Sequence, residues 1–323
     1  MVPSLEKVLL ARPRGYCAGV ERAVEAVEVA LSTYGRPVYV RKQIVHNLHV
    51  VRALEGMGAV FVEELEEVPP GATVVFSAHG VAPGVYGEAA LRGLRVVDAT
   101  CPLVTKVHAE ARKFAAGGYQ IILIGHDGHE EVVGTMGEAP ESVHLVATPR
   151  QADRLDLADP RRVAYLSQTT LSVDETAEVV AVLRSRFPGI QAPLRNDICY
   201  ATQNRQAAVK ALAERSEVIL VVGAANSSNS NRLVEVARQA GRPAHLIDDA
   251  SAIEESWLEG PRVVGVSSGA SAPDTLVDGV VRHLKDRGAV EVEELTLVEE
   301  GVHFGLPSDL RRDAEAAGEI SAS

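Results

Sequence analysis

Short apolar runs rich in β-branched residues alternate with amphipathic helical patterns along the whole chain. Ten such runs stand in the sequence: KVLLA, VYV, TVVFSA, RVVDA, QIILIG, VHLVA, VAYLS, EVILVVG, AHLI and RVVGVSS. Most of them are continuously apolar, which is typical of parallel strands that are covered on both faces. The pattern therefore predicts an α/β fold built on mostly parallel sheets.

Each of the three cysteines stands at the start of a predicted helix. Cys17 precedes a stretch with an apolar face at a period near 3.6 residues, and the proline after Cys101 suits a first helical turn. Cys199 precedes the helical stretch YATQNRQAAVKALAERS. We therefore expect three thiols at helix N-termini, a position that favours the thiolate.

The three stretches that begin at the cysteines share one order of elements: cysteine, helix, strand, polar loop, helix, strand, strand, polar loop. The first polar loop lies 28 or 29 residues after each cysteine. It contains His46 in the first stretch, His129 in the second and the run NSSNSN from Asn226 in the third. Such spacing predicts an internal threefold repeat.

The second polar loop follows a later strand in each stretch and contains His79, Thr169 or Ser271. With units of about 90 residues, the repeat predicts three small α/β domains arranged around a pseudo-threefold axis. The predicted domains are residues 1–100, 101–198 and 199–323, the last with a C-terminal tail. The tail, DLRRDAEAAGEISAS, is small and polar, and we expect it to fray.

Open α/β sheets bind ligands at the carboxyl ends of their strands, so three such domains around one axis would bring Cys17, Cys101 and Cys199 together. Structural zinc would require a fourth protein ligand. Three cysteines on a four-iron cluster would instead leave one iron free to act as a Lewis acid on a substrate oxygen. The set favours a [4Fe–4S] cluster, although each thiol taken alone could equally be a buried, inert cysteine.

The polar loops carry hydrogen-bond donors suited to a phosphate or diphosphate. The candidates are His46, His79, His129, Ser227, Ser228, Asn229 and Ser271. Any one of the histidines could also cap a helix or lie at the surface, but three at matched positions of the repeat favour an anion site.

Glu131 is the best candidate for a proton donor, because it lies two residues after His129 in a loop of this set. Thr169 could orient a hydroxyl group or relay a proton. We expect the neighbouring Glu130 to be solvated and His108, inside a helix, to be a surface or packing residue.

Composition excludes two classes of partner. With 32 Lys and Arg against 44 Asp and Glu, the net charge is −12, and no basic face for nucleic acid is indicated. No apolar run approaches the roughly 18–20 residues that span a bilayer, and the N-terminal run VLLA is too short for a signal peptide. The sequence thus predicts a cytoplasmic protein with no membrane partner.

Nine motifs resemble those of one enzyme family, in order from residue 15 to 274: GYCAGVERAV, QIVHN, FSAHGV, DATCPLVTKVH, GHEEVVGTMGE, SQTTLSVDET, NDICYATQNRQ, NSSNSNRL and SGASAPD. They are similar to the 4-hydroxy-3-methylbut-2-enyl diphosphate reductase family. The resemblance implies three α/β domains and the last step of the non-mevalonate isoprenoid pathway. In that step two electrons and two protons remove the allylic hydroxyl, giving isopentenyl diphosphate and dimethylallyl diphosphate.

Carried over by position, the resemblance implies that the three cysteines hold the iron–sulfur cluster and that the seven loop donors hold the diphosphate. Thr169 would contact the substrate hydroxyl and Glu131 would supply protons. A ferredoxin or flavodoxin type of electron donor is implied, and Arg12, Arg14 and Lys42 suggest a basic docking patch for it. Two departures are Glu130, where the family usually has proline, and Tyr16, where phenylalanine is common.

Two other functions compete with a redox enzyme. An iron–sulfur sensor that binds a diphosphate without turnover would keep the cysteines and the anion donors, but it would not need Glu131. A metal-dependent phosphohydrolase would want a metal site rich in carboxylates, which the donor-rich loops do not offer. The presence of Glu131 therefore favours the enzyme.

Overall fold

The structure, a computed structural model that describes residues 5–321, alternates short strands with helices. Within that range the strands are β1 (Lys7–Arg12), β2 (Val38–Arg41), β3 (Ala59–Val62), β4 (Thr73–Phe76), β5 (Arg95–Asp98), β6 (Gln120–Ile124), β7 (Val143–Val146), β8 (Val163–Ser167), β9 (Val218–Val222), β10 (Ala244–Ile247), β11 (Val263–Ser268) and β12 (Glu291–Thr296). All ten runs read from the sequence are strands, and β3 and β12 are additional.

The helices of the same range include one directly after each cysteine. They are α1 (Ala18–Tyr34), α2 (Leu48–Met57), α3 (Pro83–Leu91), α4 (Pro102–Ala116), α5 (Glu130–Gly137), α6 (Pro149–Arg154), α7 (Val173–Arg186), α8 (Tyr200–Arg215), α9 (Ser228–Gln239), α10 (Asp274–Asp286) and α11 (Ser308–Ala317). Among residues 5–321, no helix combines the length and the apolar content needed to cross a membrane.

The strands form three parallel sheets, which confirms the predicted α/β class. One sheet has five strands in the order β10-β9-β11-β1-β12, another has four in the order β3-β2-β4-β5, and a third has three in the order β7-β6-β8. Every strand pair in these sheets is parallel. The arrangement of three domains about an axis stays a prediction.

Strand β9 explains why the strands read as continuous apolar runs. Leu220 and Val222 pack into one hydrophobic cluster of the five-stranded sheet, whereas Ile219 and Val221 pack into another. Both faces of the strand are therefore covered, and all five residues of β9 are buried. Burial of each such side chain contributes about 1.5–3 kcal/mol to folding.

The two strands that the sequence reading misses lie at sheet edges. β12, with the sequence EVEELT, is largely exposed, and Lys7 of the neighbouring β1 forms ion pairs with Glu291 and Glu293. A strand held by its backbone and by surface ions carries no apolar run. β3 is only four residues long, and Val60 at its second position is exposed.

The first strand of the chain belongs to the sheet of the last third. β1 pairs with β11 and β12 rather than with any strand between residues 38 and 98. By its internal contacts the chain divides into a unit of residues 5–17, His46–Val50 and Tyr200–Val302 and a unit of Ala18–Val45, Val51–Cys199 and 303–321. The five-stranded sheet lies in the former and the other two sheets in the latter, and the predicted boundaries near 100 and 198 stay predictions.

The expectation that the C-terminal tail frays is wrong for residues 309–317, which belong to α11, and residues 322–323 of that tail lie outside the described residues. Leu310 and Ala314 are buried on one face of this helix, which packs against α1. The Tyr34 hydroxyl of α1 also donates to Asp313 at 2.8 Å. Only two positions of this helix are buried, one turn apart, so the sequence gives a weak signal for it.

Candidate active site

The same backbone hydrogen bond holds all three cysteines. The amide N–H of each cysteine donates to a carbonyl oxygen in a polar loop that follows β11, β4 or β8. These bonds run from Cys17 to Ala270 at 3.3 Å, from Cys101 to Ala78 at 3.0 Å and from Cys199 to Thr169 at 3.0 Å. Each cysteine is thereby fixed at the carboxyl end of a parallel strand, where α/β sheets bind ligands.

The three thiols are half-buried and form no disulfide. Helices α1, α4 and α8 each begin at the residue after a cysteine, and Cys101 is the N-cap of α4. Within the described part of the chain, no group of three or more His, Cys, Asp and Glu side chains is placed to hold a single metal ion. The donors that the repeat offers are therefore thiols at three helix starts.

Glu131 is connected to Cys199 through a single residue, Thr169. The amide N–H of Thr169 donates to Glu131 Oε1 at 2.6 Å, and its hydroxyl donates to Oε2 at 3.0 Å. The carbonyl oxygen of Thr169 accepts the bond from the Cys199 amide. One residue thus orients both oxygens of the carboxyl group and the backbone of a cysteine.

Burial raises the pKa of Glu131 to about 7, since the side chain is removed from water. Nearby Asp197 raises it further, and the two hydrogen bonds from Thr169 oppose the shift. A carboxyl group with such a pKa holds a proton in a large fraction of molecules at neutral pH and can also release it.

Two of the predicted histidines are neighbours. Nδ1 of His129 accepts the amide N–H of Glu131 at 3.2 Å, which leaves Nε2 of the neutral ring as a donor. Nδ1 of His79 lies 3.2 Å from the Ser77 hydroxyl. The two ring centroids are 5.8 Å apart with an interplanar angle of 86°. These imidazoles can present two N–H donors to one anion.

Glu130 is not simply solvated as expected. Its side chain is half-buried, and its carboxylate lies 4.0 Å from both the Arg41 guanidinium and the Lys42 ammonium. Both cations have nearer partners, Glu64 at 2.7 Å for Arg41 and Glu63 at 2.8 Å for Lys42, so Glu130 is a third carboxylate in this cluster. Glu130 is therefore an ion-pair residue beside Glu131.

The N-terminus of α9 carries buried polar atoms without partners. Ser227 caps the helix, accepting the Ser230 amide at 3.3 Å and the Ser230 hydroxyl at 3.0 Å. By contrast, the Ser228 hydroxyl and both amide atoms of Asn229 are buried with no hydrogen-bond partner. Buried donors left unpaired at a helix N-terminus fit an anionic ligand.

Two glycines allow this helix start to lie close to its sheet. A Cβ atom at Gly223, after β9, or at Gly269, after β11, would overlap the side chain of Ser230. A side chain at either position would push α9 away from the strand ends. The absence of a Cβ at these positions therefore places Ser228 and Asn229 at the carboxyl ends of β9 and β11.

His46 and Ser271, predicted from different repeats, meet directly. The Ser271 hydroxyl donates to the His46 carbonyl at 3.1 Å, and Asn226 Nδ2 lies 3.4 Å from His46 Nδ1. Burial lowers the pKa of His46, which favours its neutral form at pH 7. We therefore expect His46 to bind a ligand as a hydrogen-bond donor rather than as a cation.

His108 is a packing residue, one of the two roles expected for it. Its buried ring lies against Gly80 and Gly134, and Nδ1 is 2.8 Å from Glu138. Gly80 has a φ of +79°, so a side chain at that position would be strained as well as crowded. The imidazole therefore packs against both the loop of His79 and helix α5.

The three cations of the expected basic docking patch all form ion pairs. Arg12 and Arg14 both bind Glu294, at 2.9 and 3.0 Å, and Lys42 binds Glu63 at 2.8 Å. Arg12 and Arg14 share one carboxylate, so the ion pairs do not cancel their charge, and the docking patch stays a prediction. Sequence reading counts such charges but cannot pair them across the sheet.

Sequence reasoning also misses two buried ionic residues beside the cysteines. Arg205 is fully buried on α8, in line with the buried Ala201, Ala208 and Leu212. Asp197, two residues before Cys199, is buried, and burial raises its pKa to about 6 against the opposing effect of Lys106. Because Arg205 stands among apolar residues at helical spacing, the sequence did contain a signal for a buried ion pair. The residues around Asp197 give no comparable signal.

Comparisons with known proteins cover nearly the whole chain. A family model described as "LytB protein" matches residues 8–285. A relative from Acidothermus cellulolyticus, named "4-hydroxy-3-methylbut-2-enyl diphosphate reductase", is 62% identical over 314 residues, which are 97% of this chain and 92% of the relative. A relative from Mycobacterium tuberculosis, named "4-hydroxy-3-methylbut-2-enyl diphosphate reductase 2", is 60% identical over 96% of this chain and 92% of its own length.

A solved structure has the same fold. The E-1-hydroxy-2-methyl-but-2-enyl-4-diphosphate reductase from Plasmodium falciparum superposes with a TM-score of 0.94 and 35% sequence identity. The match covers 97% of this chain and 99% of the solved chain.

The raised pKa of Glu131 predicts a pH dependence of stability. Its pKa is about 7 in the folded chain and about 4.5 in a solvated glutamate, so the folded state binds more protons between these values. Below pH 4.5, Glu131 therefore contributes roughly 3 kcal/mol to the free energy of unfolding. This contribution is lost as the pH rises to 7, and the free energy does not change further with this group above that pH. In Glu131→Gln this loss should be absent.

The measurement is urea unfolding of wild type and variant from pH 4.5 to 8.5. The difference in unfolding free energy should grow in favour of Glu131→Gln up to pH 7. Glu130→Gln is the matched control and should follow the wild-type profile. Parallel profiles for wild type and Glu131→Gln would show that the carboxyl group is ionised at its usual pH.

Proposed function

We propose that this chain, which belongs to the LytB family, reduces 4-hydroxy-3-methylbut-2-enyl diphosphate at an iron–sulfur cluster. The allylic C–O bond breaks, two electrons and two protons enter, and the hydroxyl group leaves as water. The products are isopentenyl diphosphate and dimethylallyl diphosphate. The reductase names of its relatives, over nearly the whole chain, make the chain an oxidoreductase, and the cluster and products are the proposed part.

One observation carries the proposal: a fully buried carboxyl group, poised to titrate near pH 7, is hydrogen-bonded to the residue that binds the Cys199 backbone. Reduction of an allylic alcohol consumes protons in a site from which bulk water must be kept. Glu131 and Thr169 are proposed to deliver them, because both are buried and Thr169 is bonded to the Cys199 backbone. A sensor without turnover would gain nothing from the cost of burying a titratable carboxyl.

Cys17, Cys101 and Cys199 would hold the cluster as a [4Fe–4S] group, which supplies electrons and a Lewis-acidic iron when bound. Three observations support this assignment: the thiols form no disulfide, they are half-buried, and the same backbone bond holds each of them at a helix start. Helix N-termini favour thiolates, which are the form that binds iron.

The diphosphate would bind at the N-terminus of α9, where buried hydrogen-bond donors have no partner in the protein. The Ser228 hydroxyl and the Asn229 amide are buried without partners at the positive end of α9. Ser227, Ser271, His46, His79 and His129 are proposed to complete the set. Because the pKa of His46 is lowered by burial, at least part of this set would bind through neutral donors.

Glu131 would act as the proton donor and Thr169 as its relay. The Thr169 hydroxyl points its proton at Glu131 Oε2, so a proton on the carboxyl group would let that hydroxyl turn toward a substrate oxygen. The protonated carboxyl group then supplies the proton with which the leaving hydroxyl departs as water. Electrons would come from a carrier of the ferredoxin or flavodoxin type.

Replacing Glu131 should separate chemistry from cofactor binding. Glu131→Gln keeps the shape and the bond from the Thr169 amide but removes the transferable proton. With a chemical reductant as electron source, turnover should fall by about 100- to 10,000-fold. Iron content should equal that of wild type, and Glu130→Gln should keep near-normal turnover. Full activity in Glu131→Gln would remove this residue from the mechanism.

Shortening Asn229 should weaken binding of the diphosphate. Asn229→Ala removes two polar atoms that have no partner in the protein, so the fold loses no hydrogen bond. The KM for the substrate should rise by about tenfold with little change in kcat, since the group would bind ground state and transition state alike. The control is Gln239→Ala at the opposite end of α9. An unchanged KM would contradict an anion site at this helix.

A further inference from the structure

Each helix that begins after a cysteine carries a basic residue about one and a half turns further along. Arg22 lies five residues after Cys17, and Lys106 lies five residues after Cys101. Arg205 lies six residues after Cys199. None of the three is among the residues proposed to hold the cluster, bind the diphosphate or supply protons. Each donates hydrogen bonds to a segment far away in the sequence.

Arg22, on α1, binds the backbone directly before Cys101. Its Nη1 donates to the Thr100 carbonyl at 2.8 Å, and its Nη2 reaches the Asp98 carbonyl at 3.4 Å. Its Nε donates to the Gly305 carbonyl at 2.9 Å. The guanidinium group therefore ties the end of β5, and the turn into Cys101, to the helix of Cys17.

Lys106, on α4, binds the segment directly before Cys199. Its Nζ donates to the Arg195 carbonyl at 2.7 Å and to Asp197 Oδ1 at 2.5 Å. The other oxygen of Asp197 accepts the Ser167 amide at 2.9 Å, at the end of β8. The lysine and Asp197 thus fasten the approach to Cys199 both to the helix of Cys101 and to a strand end.

Arg205, on α8, binds the backbone directly before Cys17. Its Nη2 donates to the carbonyls of Gly15 and Tyr16 at 2.8 and 3.3 Å. Its Nη1 lies 3.1 Å from Glu300 Oε1. The guanidinium group is fully buried, so its charge requires this carboxylate and these carbonyls.

We propose that Arg22, Lys106 and Arg205 are positioning residues that form a cyclic clamp on the three cysteines. Helix α1, after Cys17, holds the loop before Cys101, and helix α4, after Cys101, holds the loop before Cys199. Helix α8, after Cys199, holds the loop before Cys17 and closes the cycle. No cysteine loop is held by its own helix alone.

Such a clamp would make the positions of the cysteines depend on one another, which suits a ligand that all three must share. Removal of a clamp residue leaves two or more acceptor oxygens without their donor and frees the loop to open locally. The inference that the clamp serves a shared cluster rests on the proposed function. The inference about which loop each cation holds can be tested separately, through the reactivity of the thiols.

The test uses the full-length variants Arg22→Met, Lys106→Met and Arg205→Met. Each iron-free protein is treated with iodoacetamide under native conditions, and the labelling rate of every cysteine is followed by mass spectrometry. Each variant should accelerate labelling by roughly tenfold at one cysteine only, the one whose loop it holds. These are Cys101 for Arg22→Met, Cys199 for Lys106→Met and Cys17 for Arg205→Met.

Two variants serve as matched controls. Arg186 on α7 donates to the carbonyls of Ala152 and Leu155, and Arg238 on α9 donates to the Ala244 carbonyl at 2.8 Å. Both bind backbone away from any cysteine, so Arg186→Met and Arg238→Met should leave all three labelling rates near wild type. Equal acceleration at all three cysteines in a clamp variant, or none, would overturn the proposal.

Conservative variants decide the matter if a methionine variant does not fold. Arg205→Lys and Arg22→Lys keep the charge but lose the planar fork that reaches two carbonyls at once. They should show the same cysteine selectivity with a smaller acceleration, and labelling equal to wild type would contradict the clamp.

A second readout connects the clamp to the cofactor. After identical anaerobic reconstitution, the clamp variants should lose iron to a chelator about tenfold faster than wild type and the two controls. A wild-type chain that takes up no iron would refute the proposed function while the labelling still tests the clamp. Iron loss at the wild-type rate in all clamp variants would refute the clamp's role in cofactor binding, whatever the labelling shows.

Discussion

The backbone hydrogen bond from each cysteine amide to a loop carbonyl is the contact on which the site depends. It occurs three times with the same geometry, and each time it fixes a helix start against the carboxyl end of a parallel strand. A thiol alone is a common, inert core group. At three helix starts of this kind, the position of the thiol is set by a sheet rather than by a flexible loop.

The burial of ionisable side chains is the second constraint on the site. Glu131 and Arg205 are both removed from water, and each is satisfied by a small number of specific partners. For Glu131 the result is a pKa of about 7, so the carboxyl group can both hold and release a proton near neutral pH. For Arg205 the result is a fixed guanidinium that can hold backbone but cannot titrate.

Local patterns predict most of the fold. Ten strands, the helices after the cysteines and the polar loops at strand ends follow from residue type and spacing within windows of about 20 residues. What the sequence does not reveal depends on distant partners. β12 pairs with β1 across more than 280 residues, and Arg205 finds the Gly15 carbonyl 190 residues away. The helix over 308–317 is held by two buried side chains and by the Tyr34–Asp313 hydrogen bond to α1, for which the local sequence gives only a weak signal.

The central claim is that three cysteines far apart in the sequence hold one iron–sulfur cluster, and metal analysis tests it most directly. Iron, zinc and acid-labile sulfide should be measured on protein prepared without oxygen, for the wild type and for Cys17→Ser, Cys101→Ser and Cys199→Ser. The account predicts about four irons and four sulfides per wild-type chain, with a marked loss in every variant. Zinc in place of iron, or full iron content in any of the three variants, would contradict it.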